Sequence, residues 1–258
     1  MDVIDSLGNK ISLLAGERIE PLGGGMRIIV SDEHKFWTDT VLLAHFSMPK
    51  RNERACELGT GCGAIPIIWC RNGFPGITDA VEIQQNACSM LTRSLELCRL
   101  SDRVNVINSD LRELHGRLTS GGYDIVVCNP PYKAPGTGIK SSGASQLVAR
   151  HETECTLSDI VAAASDLLRF GGRLCMCQRP ERLTDLMTAM RDNGIEPKRL
   201  RLVQQRPTKA PKLFLLEGRR GGRPGGLVIE PVLFIEGADG NFSGEMLDIY
   251  GEYKEGYL

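Results

Sequence analysis

Short apolar runs alternate with helix-period segments through the middle of the chain. The apolar runs have the length of buried strands and lie at 54–58, 78–83, 103–108, 123–128 and 172–178. Between them, apolar residues recur at the spacing that buries one face of a helix. Because strands that alternate with helices form βαβ units, we predict an α/β fold with a mainly parallel sheet and helices on both faces.

Two helices can be delimited from the sequence. In the first, predicted at 156–170, Thr156 and Asp159 have the spacing of a capping box, and Gly171 is placed to end the helix. The second is predicted to end at Asn193-Gly194. Both segments carry their apolar residues along one side, so we expect each helix to pack on the sheet.

The two flanks have a different pattern. Residues 17–31 predict a hairpin around three consecutive glycines, followed by a helix from Thr40. Near the C-terminus, three segments are predicted to be antiparallel strands that close the sheet edge: 199–206, 211–217 and 227–236. We therefore predict a single domain, made of an N-terminal hairpin and helix (1–50), a core (51–195), and C-terminal antiparallel strands with a basic segment (196–258).

Composition narrows the class of protein. The chain has no apolar run long enough to cross a membrane, and its first ten residues lack the apolar stretch of a secretory signal. The nine cysteines are scattered and form no Cys-x-x-Cys pair, which is typical of a reducing compartment. The four histidines have no metal-ligand spacing. We expect a cytoplasmic protein without a metal site.

A glycine-rich turn is the first candidate for chemistry. Gly59, Gly61 and Gly63 lie between a predicted strand and a predicted helix, directly after Glu57. Glycines let the backbone approach a ligand closely, and the start of the helix offers unpaired N–H groups. With Ala64, the turn also satisfies the dinucleotide fingerprint, so it does not separate one nucleotide cofactor from another.

Two acids follow the next two predicted strands. Glu82 could accept hydrogen bonds from both hydroxyls of a ribose, which is a requirement of several nucleotide cofactors. Asp110 could face an adenine amino group, cap a helix, or do both, since Asp is a favoured N-cap.

The fourth predicted strand runs into Asn129-Pro130-Pro131-Tyr132. Two prolines fix the backbone and keep Asn129 out of the α region. An amine conjugated to a ring is a poor nucleophile, and hydrogen bonds to the Asn129 side chain and the Pro130 carbonyl would aim its lone pair at an activated methyl group. Tyr132 can stack on the ring. A rigid turn without chemistry is the alternative, but ligands bind at this edge of open α/β sheets.

These motifs resemble those of the Rossmann-like class I methyltransferases, which use S-adenosylmethionine (SAM). Residues 36–44, 149–152 and 215–222 extend the resemblance to the bacterial valine-tRNA adenine-N6 methyltransferases, over about 17–250. The resemblance implies a mainly parallel seven-stranded sheet with an antiparallel C-terminal edge. It also implies SAM as the cofactor, no metal, and RNA, specifically tRNA, as the partner.

The resemblance gives each matching position an expected role. Glu82 is expected to hold the ribose, and Asp110 to face the adenine of SAM. The residues expected to bind the cofactor, with all three glycines of the turn, are Thr38, Asp39, Glu57, Gly59, Gly61, Gly63, Glu82 and Asp110. Those expected to hold and methylate the target amine are Asn129, Pro130, Pro131 and Tyr132.

A basic segment supports a polyanionic substrate. Nine Lys or Arg residues and one acid fall between Lys198 and Arg223, although the whole chain has a net charge of −1. Basic residues also protect exposed strand edges, so this segment alone does not decide the matter. A second feature is 134–145, which is rich in Gly and Ser and is either a mobile lid or an ordinary loop. The candidates for substrate contacts are Lys133, Arg150, Arg206, Lys209, Lys212, Arg219 and Arg220.

Several alternatives stay open at this point. The same motif serves guanine-N2 methylation of ribosomal RNA, glutamine methylation of release factors and adenine methylation of DNA. Release-factor enzymes carry a helical N-terminal domain, whereas the roughly 50 residues before the first core strand here predict a hairpin and a helix. DNA adenine enzymes usually add a sizeable target-recognition domain, for which we expect no room in this chain. We therefore expect an adenine in tRNA, with ribosomal guanine and protein glutamine as alternatives. An inactive RNA-binding protein on this scaffold and an NAD-dependent dehydrogenase are the alternatives from other classes.

Overall fold

The computed structural model describes residues 2–4, 10–130 and 155–251. At its start, β1 (Asp2–Ile4) pairs antiparallel with β2 (Lys10–Ser12). The predicted hairpin follows as β3 (Arg18–Gly23) and β4 (Met26–Val30), which also pair antiparallel. The turn between them needs left-handed backbone at Gly24 and Gly25, with φ of 57° and 76°, which glycine adopts without strain.

The central sheet contains the strands that the sequence predicts. These are β5 (Ala55–Leu58), β6 (Thr78–Glu82), β7 (Val104–Asn108), β8 (Tyr123–Cys128), β9 (Leu168–Gln178), β10 (Ile195–Gln204) and β11 (Leu213–Arg220). Among the described residues, their spatial order is β10-β11-β9-β8-β5-β6-β7. Strands β5 to β9 run parallel, whereas β11 is antiparallel to both of its neighbours. The predicted mainly parallel sheet with an antiparallel C-terminal edge is confirmed, but two further short strands beyond β10 bring the sheet to nine strands among the described residues, not seven.

Helices cover both faces of this sheet. One face carries α1 (Thr38–Phe46), α2 (Ala64–Arg71), α3 (Gln85–Cys98) and the C-terminal helix, and the other carries α4 (Leu157–Leu167) and α5 (Leu183–Asp192). The C-terminal helix is α6 (Gly244–Tyr250). Alternate residues of β8 enter the two cores, Ile125 and Val127 on one side and Val126 on the other. A strand covered on both faces has apolar residues on both of them, which is why 125–128 show no alternation.

The C-terminal strands correct one prediction. Segment 227–236 contains two short strands, β12 (Val228–Ile229) and β13 (Leu233–Phe234), and both pair parallel with β10, not antiparallel. Because β9 and β10 already occupy both sides of β11, the chain that leaves β11 has to continue beyond β10. It then runs against β11 and therefore in the direction of β10.

The helix predicted at 156–170 is shorter than expected. Thr156 and Asp159 form the predicted capping box, but the helix ends at Leu167, and β9 begins at Leu168. Leu168 pairs with Tyr123 of β8, so residues 168–170, which helical periodicity assigned to the helix, belong to the strand. Gly171, which was predicted to end the helix, lies within β9 with a φ of 78°.

Arg71 at the end of α2 joins both flanks to the core. Its guanidinium donates to the backbone carbonyl of Leu22 in β3 over 2.6 Å and to that of Tyr250 in α6 over 3.4 Å.

Among the helices that the structure describes, none has the length and apolar character that a membrane span requires.

Candidate active site

A cleft of about 530 Å³ opens at the edge where the parallel strands end. Its walls come from the turn after β5 and from the ends of β6, β7 and β8, with the start of α1 closing one side. The parallel sheet brings these segments together because the carboxyl ends of its strands all lie at this edge. Of the predicted cofactor and catalytic residues, the cleft is lined by Asp39, Glu57, Gly59, Gly61, Glu82, Asp110, Asn129 and Pro130.

The glycine turn requires the residues it has. Gly59, Gly61 and Gly63 have φ angles of 68°, 56° and 85°, in the left-handed region that other residues rarely adopt. A Cβ at Gly59 or Gly61 would meet no atom within 4 Å, so the backbone there faces open space. Gly63 differs, because a Cβ there would lie 2.1 Å from Cδ1 of Leu91 in α3. Gly63 thus lets the turn pack on the helix behind it.

Glu82 fastens the glycine turn to the end of β6. Its two carboxylate oxygens accept hydrogen bonds from the backbone N–H groups of Gly61 (2.9 Å) and Gln84 (2.8 Å). The side chain is nearly buried, with 6% of its surface exposed. Each carboxylate oxygen has a further lone pair, so these bonds are compatible with additional hydroxyl donors.

Glu57 is a buried carboxyl group in the wall of the cleft. It is 2% exposed, and the hydroxyl of Thr60 hydrogen-bonds to its Oε2. Burial raises the pKa of Glu57 to about 8, and the nearby Glu82 carboxylate adds to the rise, whereas the Thr60 hydrogen bond opposes it. A cation placed beside Glu57 would favour its ionised form.

Asp110 has the capping role that the sequence suggested. It is the N-cap of a 3-10 turn at Leu111–Glu113, and its Oδ1 accepts from the backbone N–H of Arg112 over 2.9 Å. Its Oδ2 is also 2.6 Å from the Arg112 guanidinium. Both side chains line the cleft. A contact with adenine therefore remains a prediction, compatible with the cap.

The start of α1 contacts the end of β8. The Nδ2 of Asn129 donates to the hydroxyl of Thr40 over 3.1 Å, and that hydroxyl lies 3.4 Å from Oδ1 of Asp39. The hydroxyl therefore accepts from the amide and donates to the carboxylate. This direction assigns the amide nitrogen of Asn129 to the Thr40 side, so its carbonyl oxygen lies on the opposite branch of the planar amide.

Thr38 lies on a separate, smaller cavity of about 250 Å³. Its hydroxyl accepts a hydrogen bond from the Tyr250 hydroxyl over 2.9 Å, which ties α1 to α6. Several other predicted residues lie outside the described part of the chain: Pro131, Tyr132, Lys133 and Arg150, together with segment 134–145.

The structure separates the predicted basic residues into two groups. Arg206, Lys209 and Lys212 lie in the connection from β10 to β11, at the same edge as the cleft, because the start of β11 pairs with the end of β9. Arg219 and Arg220 lie at the other end of β11. Arg219 is seven residues beyond Lys212, which corresponds to about 24 Å along an extended strand at about 3.4 Å per residue. There, Arg219 lies opposite Arg173 of β9 in the backbone ladder, and the Arg220 guanidinium donates to the carbonyl of Leu168.

Ion pairing occupies much of the remaining basic segment. Arg199 bonds to Glu217 (2.9 Å), and Arg201 to Glu245 (2.6 Å). Arg206, which is half-exposed, is 2.6 Å from Glu236. These three ion pairs hold parts of the C-terminal region together, while Lys209 and Lys212 are exposed to solvent.

Sequence reasoning missed some residues of the cleft. Thr40, Trp37 and Arg182 line it. Thr40 and Trp37 lie within segment 36–44 of the resemblance but were given no role in the site, and Arg182 belongs to no motif. Thr40 was recognised only as the start of a helix. Its proximity to Thr38 and Asp39 was the available signal, because residues next to a ligand-binding pair at a helix start share the same edge.

Comparisons with known proteins agree with this geometry. Residues 37–192 match the family model described as the methyltransferase small domain. The chain belongs to this family. It is a SAM-dependent methyltransferase of the Rossmann-like class, as the sequence predicts.

Curated relatives are identical to this chain at about a quarter of the aligned positions. The chain is 27% identical over 183 residues to a protein of Parabacteroides distasonis named tRNA1(Val) (adenine(37)-N6)-methyltransferase, covering 71% of this chain and 76% of that one. It is 28% identical over 185 residues to a protein of the same name from Trichodesmium erythraeum, with coverage of 71% and 76%.

Solved structures share the fold. A protein of Agrobacterium tumefaciens, described as a predicted O-methyltransferase, is similar with a TM-score of 0.68 at 21% identity, covering 84% of this chain and 97% of that one. TYW2 of M. jannaschii in complex with AdoMet is similar with a TM-score of 0.54 at 14% identity, covering 83% and 90%.

Proposed function

We propose that this methyltransferase transfers the methyl group of SAM to the exocyclic N6 amine of an adenine in tRNA. The observation that carries the proposal is the position of Asn129, which directly follows β8 and lines the same cleft as the glycine turn. Its amide is oriented by Thr40. The curated relatives, whose names specify an adenine-N6 of tRNA, support the choice of acceptor.

The residues of the cleft suit the cofactor. Gly59 and Gly61 leave backbone facing open space, where a ligand can approach closely. Glu82 is proposed to accept from the ribose, and Asp110 to face the adenine, while Thr38, Asp39, Glu57 and Gly63 support the methionine end and the turn. When bound, SAM would supply a methyl group on a sulfonium sulfur. The leaving group would be S-adenosylhomocysteine.

The proposed role of Asn129 is to align the target amine for methyl transfer. An adenine N6 is conjugated to its ring, so its lone pair is delocalised and poorly nucleophilic. With Nδ2 held by Thr40, the carbonyl oxygen of Asn129 can accept from an N6–H and favour a pyramidal nitrogen. Pro130 fixes the backbone next to it, and we propose that Pro131 extends this rigid corner and that Tyr132 stacks on the target base.

Positioning provides much of the proposed rate enhancement. SAM is already an activated donor, so alignment of nitrogen and methyl carbon replaces strong base catalysis. The amine nitrogen forms the new bond to carbon as the carbon–sulfur bond breaks, and the methylated amine then loses one proton to water.

The connection from β10 to β11 (205–212), termed the basic loop, supports an RNA substrate. Arg206, Lys209 and Lys212 lie at the edge of the sheet that holds the cleft, where they can contact phosphates. An adenine in a tRNA loop is partly unstacked, so its entry into a cleft costs little. We propose that Lys133 and Arg150 add to this contact. We also propose a cytoplasmic location, because tRNA is the proposed substrate.

The chain is further proposed to form a single domain. The hydrogen bonds of Arg71 to the carbonyls of Leu22 and Tyr250, one in each flank, support this organisation.

Methylation of RNA from cells that lack the gene tests this function. Purified enzyme is incubated with isotopically labelled SAM and total RNA from that strain, and the products are identified by nucleoside mass spectrometry. We expect label in N6-methyladenosine, confined to the tRNA fraction. Label in N2-methylguanosine of ribosomal RNA, or in protein after addition of extract, would contradict the proposed substrate and leave methyl transfer intact.

A further inference from the structure

Trp37 is an exposed aromatic residue at the mouth of the active-site cleft. It is 64% exposed, yet it lines both the main cleft and the smaller cavity next to it. A large apolar ring in water at the rim of a binding site is a common feature of recognition surfaces. Trp69, the second tryptophan, is fully buried, and its indole N–H donates to the carbonyl of Ala44.

The backbone of Trp37 is held in place despite this exposure. Its carbonyl accepts hydrogen bonds from the N–H groups of Thr40 (3.0 Å) and Val41 (3.4 Å) at the start of α1. Phe36, the preceding residue, is packed into the core. The ammonium of Lys35 lies 5.0 Å from the centre of the indole ring. The ring therefore projects from a fixed helix start with a cation against one face.

Trp37 shares one edge of the sheet with Asn129 and the basic loop. It is three residues before Thr40, which contacts Asn129. Helix α1 runs from this edge across β9 and β11 towards the opposite edge, where the Phe46 carbonyl accepts from Arg199. The connection from β10 to β11 lies at the same edge as Trp37, so an aromatic surface and exposed lysines share that edge.

We propose that Trp37 is the stacking platform for a nucleotide next to the target adenine. A single-stranded RNA segment would place its target base at Asn129, the neighbouring base on the indole of Trp37, and its phosphates along the basic loop. Bases stack on aromatic rings regardless of sequence, so this contact gives affinity and register. Lys35 lies against one face of the ring, and the neighbouring acids Asp32 and Glu33 disfavour a phosphate there, so the phosphates are assigned to the basic loop. This inference rests on the proposed RNA substrate.

Tryptophan fluorescence can report this contact. Because Trp69 is buried, the solvent-exposed signal comes from Trp37. The wild-type enzyme, saturated with S-adenosylhomocysteine, is titrated with a synthetic anticodon stem-loop of valine tRNA, and binding is followed independently by anisotropy of a labelled copy. We expect saturable quenching in the wild type and none in Trp37→Phe. Trp37→Ala is expected to weaken binding roughly 5- to 150-fold.

Phe170→Ala is the matched control, since Phe170 is 78% exposed but lies in the first residues of β9, at the other edge of the sheet. It is expected to bind the stem-loop like the wild type. Equal affinity of Trp37→Ala and wild type would overturn the stacking platform while leaving the RNA substrate standing. Quenching by S-adenosylhomocysteine alone would assign Trp37 to the cofactor and also overturn the platform. Failure of the wild type to bind RNA would contradict the proposed substrate, and the platform with it.

Discussion

The amide of Asn129 donates a hydrogen bond of 3.1 Å to the hydroxyl of Thr40, a residue 89 positions earlier in the chain. The Thr40 hydroxyl faces Oδ1 of Asp39, so the three side chains form a directed series. An asparagine amide has a donor end and an acceptor end of the same shape. The series fixes which end of Asn129 faces Thr40, and the carbonyl oxygen is the end that we assign to the target amine.

Replacement of Thr40 by valine is expected to lower kcat about 5- to 10-fold, because one hydrogen bond of about 1–1.5 kcal/mol no longer orients the amide. The Kd for SAM should remain that of the wild type. Thr40→Ser keeps the hydroxyl and should restore most of kcat. The control is Thr92→Val on α3, where the hydroxyl donates within its own helix to the carbonyl of Cys88. Equal losses in Thr40→Val and Thr40→Ser would show that shape, and not hydrogen bonding, is what matters.

The raised pKa of Glu57 predicts a pH-dependent stability. Its folded-state pKa of about 8 exceeds the ordinary value of 4.5, so folding favours the protonated carboxyl. The stabilisation is complete below pH 4.5 and is lost as the pH rises towards 8. Glu57→Gln cannot ionise, and its free energy of unfolding should gain on the wild type by about 1.4 kcal/mol per pH unit in that interval. Urea unfolding at several pH values measures this difference. Parallel curves for the two proteins would show that Glu57 has an ordinary pKa.

Gly63 and Gly73 make a matched pair for the glycine turn. Both have left-handed backbone, with φ of 85° and 87°, but only at Gly63 would a Cβ collide with Leu91. Gly73→Ala should cost about 1–2 kcal/mol through backbone strain alone. Gly63→Ala should cost about 1–3 kcal/mol more through overpacking, and should weaken SAM binding. Chemical denaturation and calorimetry provide the two measurements. Equal destabilisation would mean that α3 yields to the new methyl group at little cost.

The two ends of β11 offer a test of the basic loop. Lys209→Gln with Lys212→Gln should reduce RNA affinity and lower the slope of log Kd against log salt by about 0.7 per residue, the value for single strands. Arg219→Gln, at the far edge, should change neither. Titrations at several salt concentrations measure both quantities. An effect of Arg219→Gln as large as that of the double variant would move the RNA surface to the opposite edge.

Much of the fold could be predicted because its cause is local. The parallel strands are buried on both faces and are therefore rich in consecutive apolar residues, as in 125–128 of β8. The shared edge of Glu82 and Asn129 follows from the parallel topology alone. Thr40 was not predictable as a partner of Asn129, because their contact depends on where α1 packs. The separation of Arg219 from Lys212 depends on the direction of β11, which charge along the sequence does not contain.

The role of Asn129 can be tested by measuring turnover and cofactor binding on the same preparation of Asn129→Ala. Methyl transfer to tRNA should fall to background, because no side-chain oxygen remains to align the amine. The Kd for SAM should stay within about twofold of the wild type, a difference below 0.5 kcal/mol. Loss of SAM binding together with activity would show that Asn129 maintains the cleft, and full activity with normal binding would show that another group aligns the acceptor.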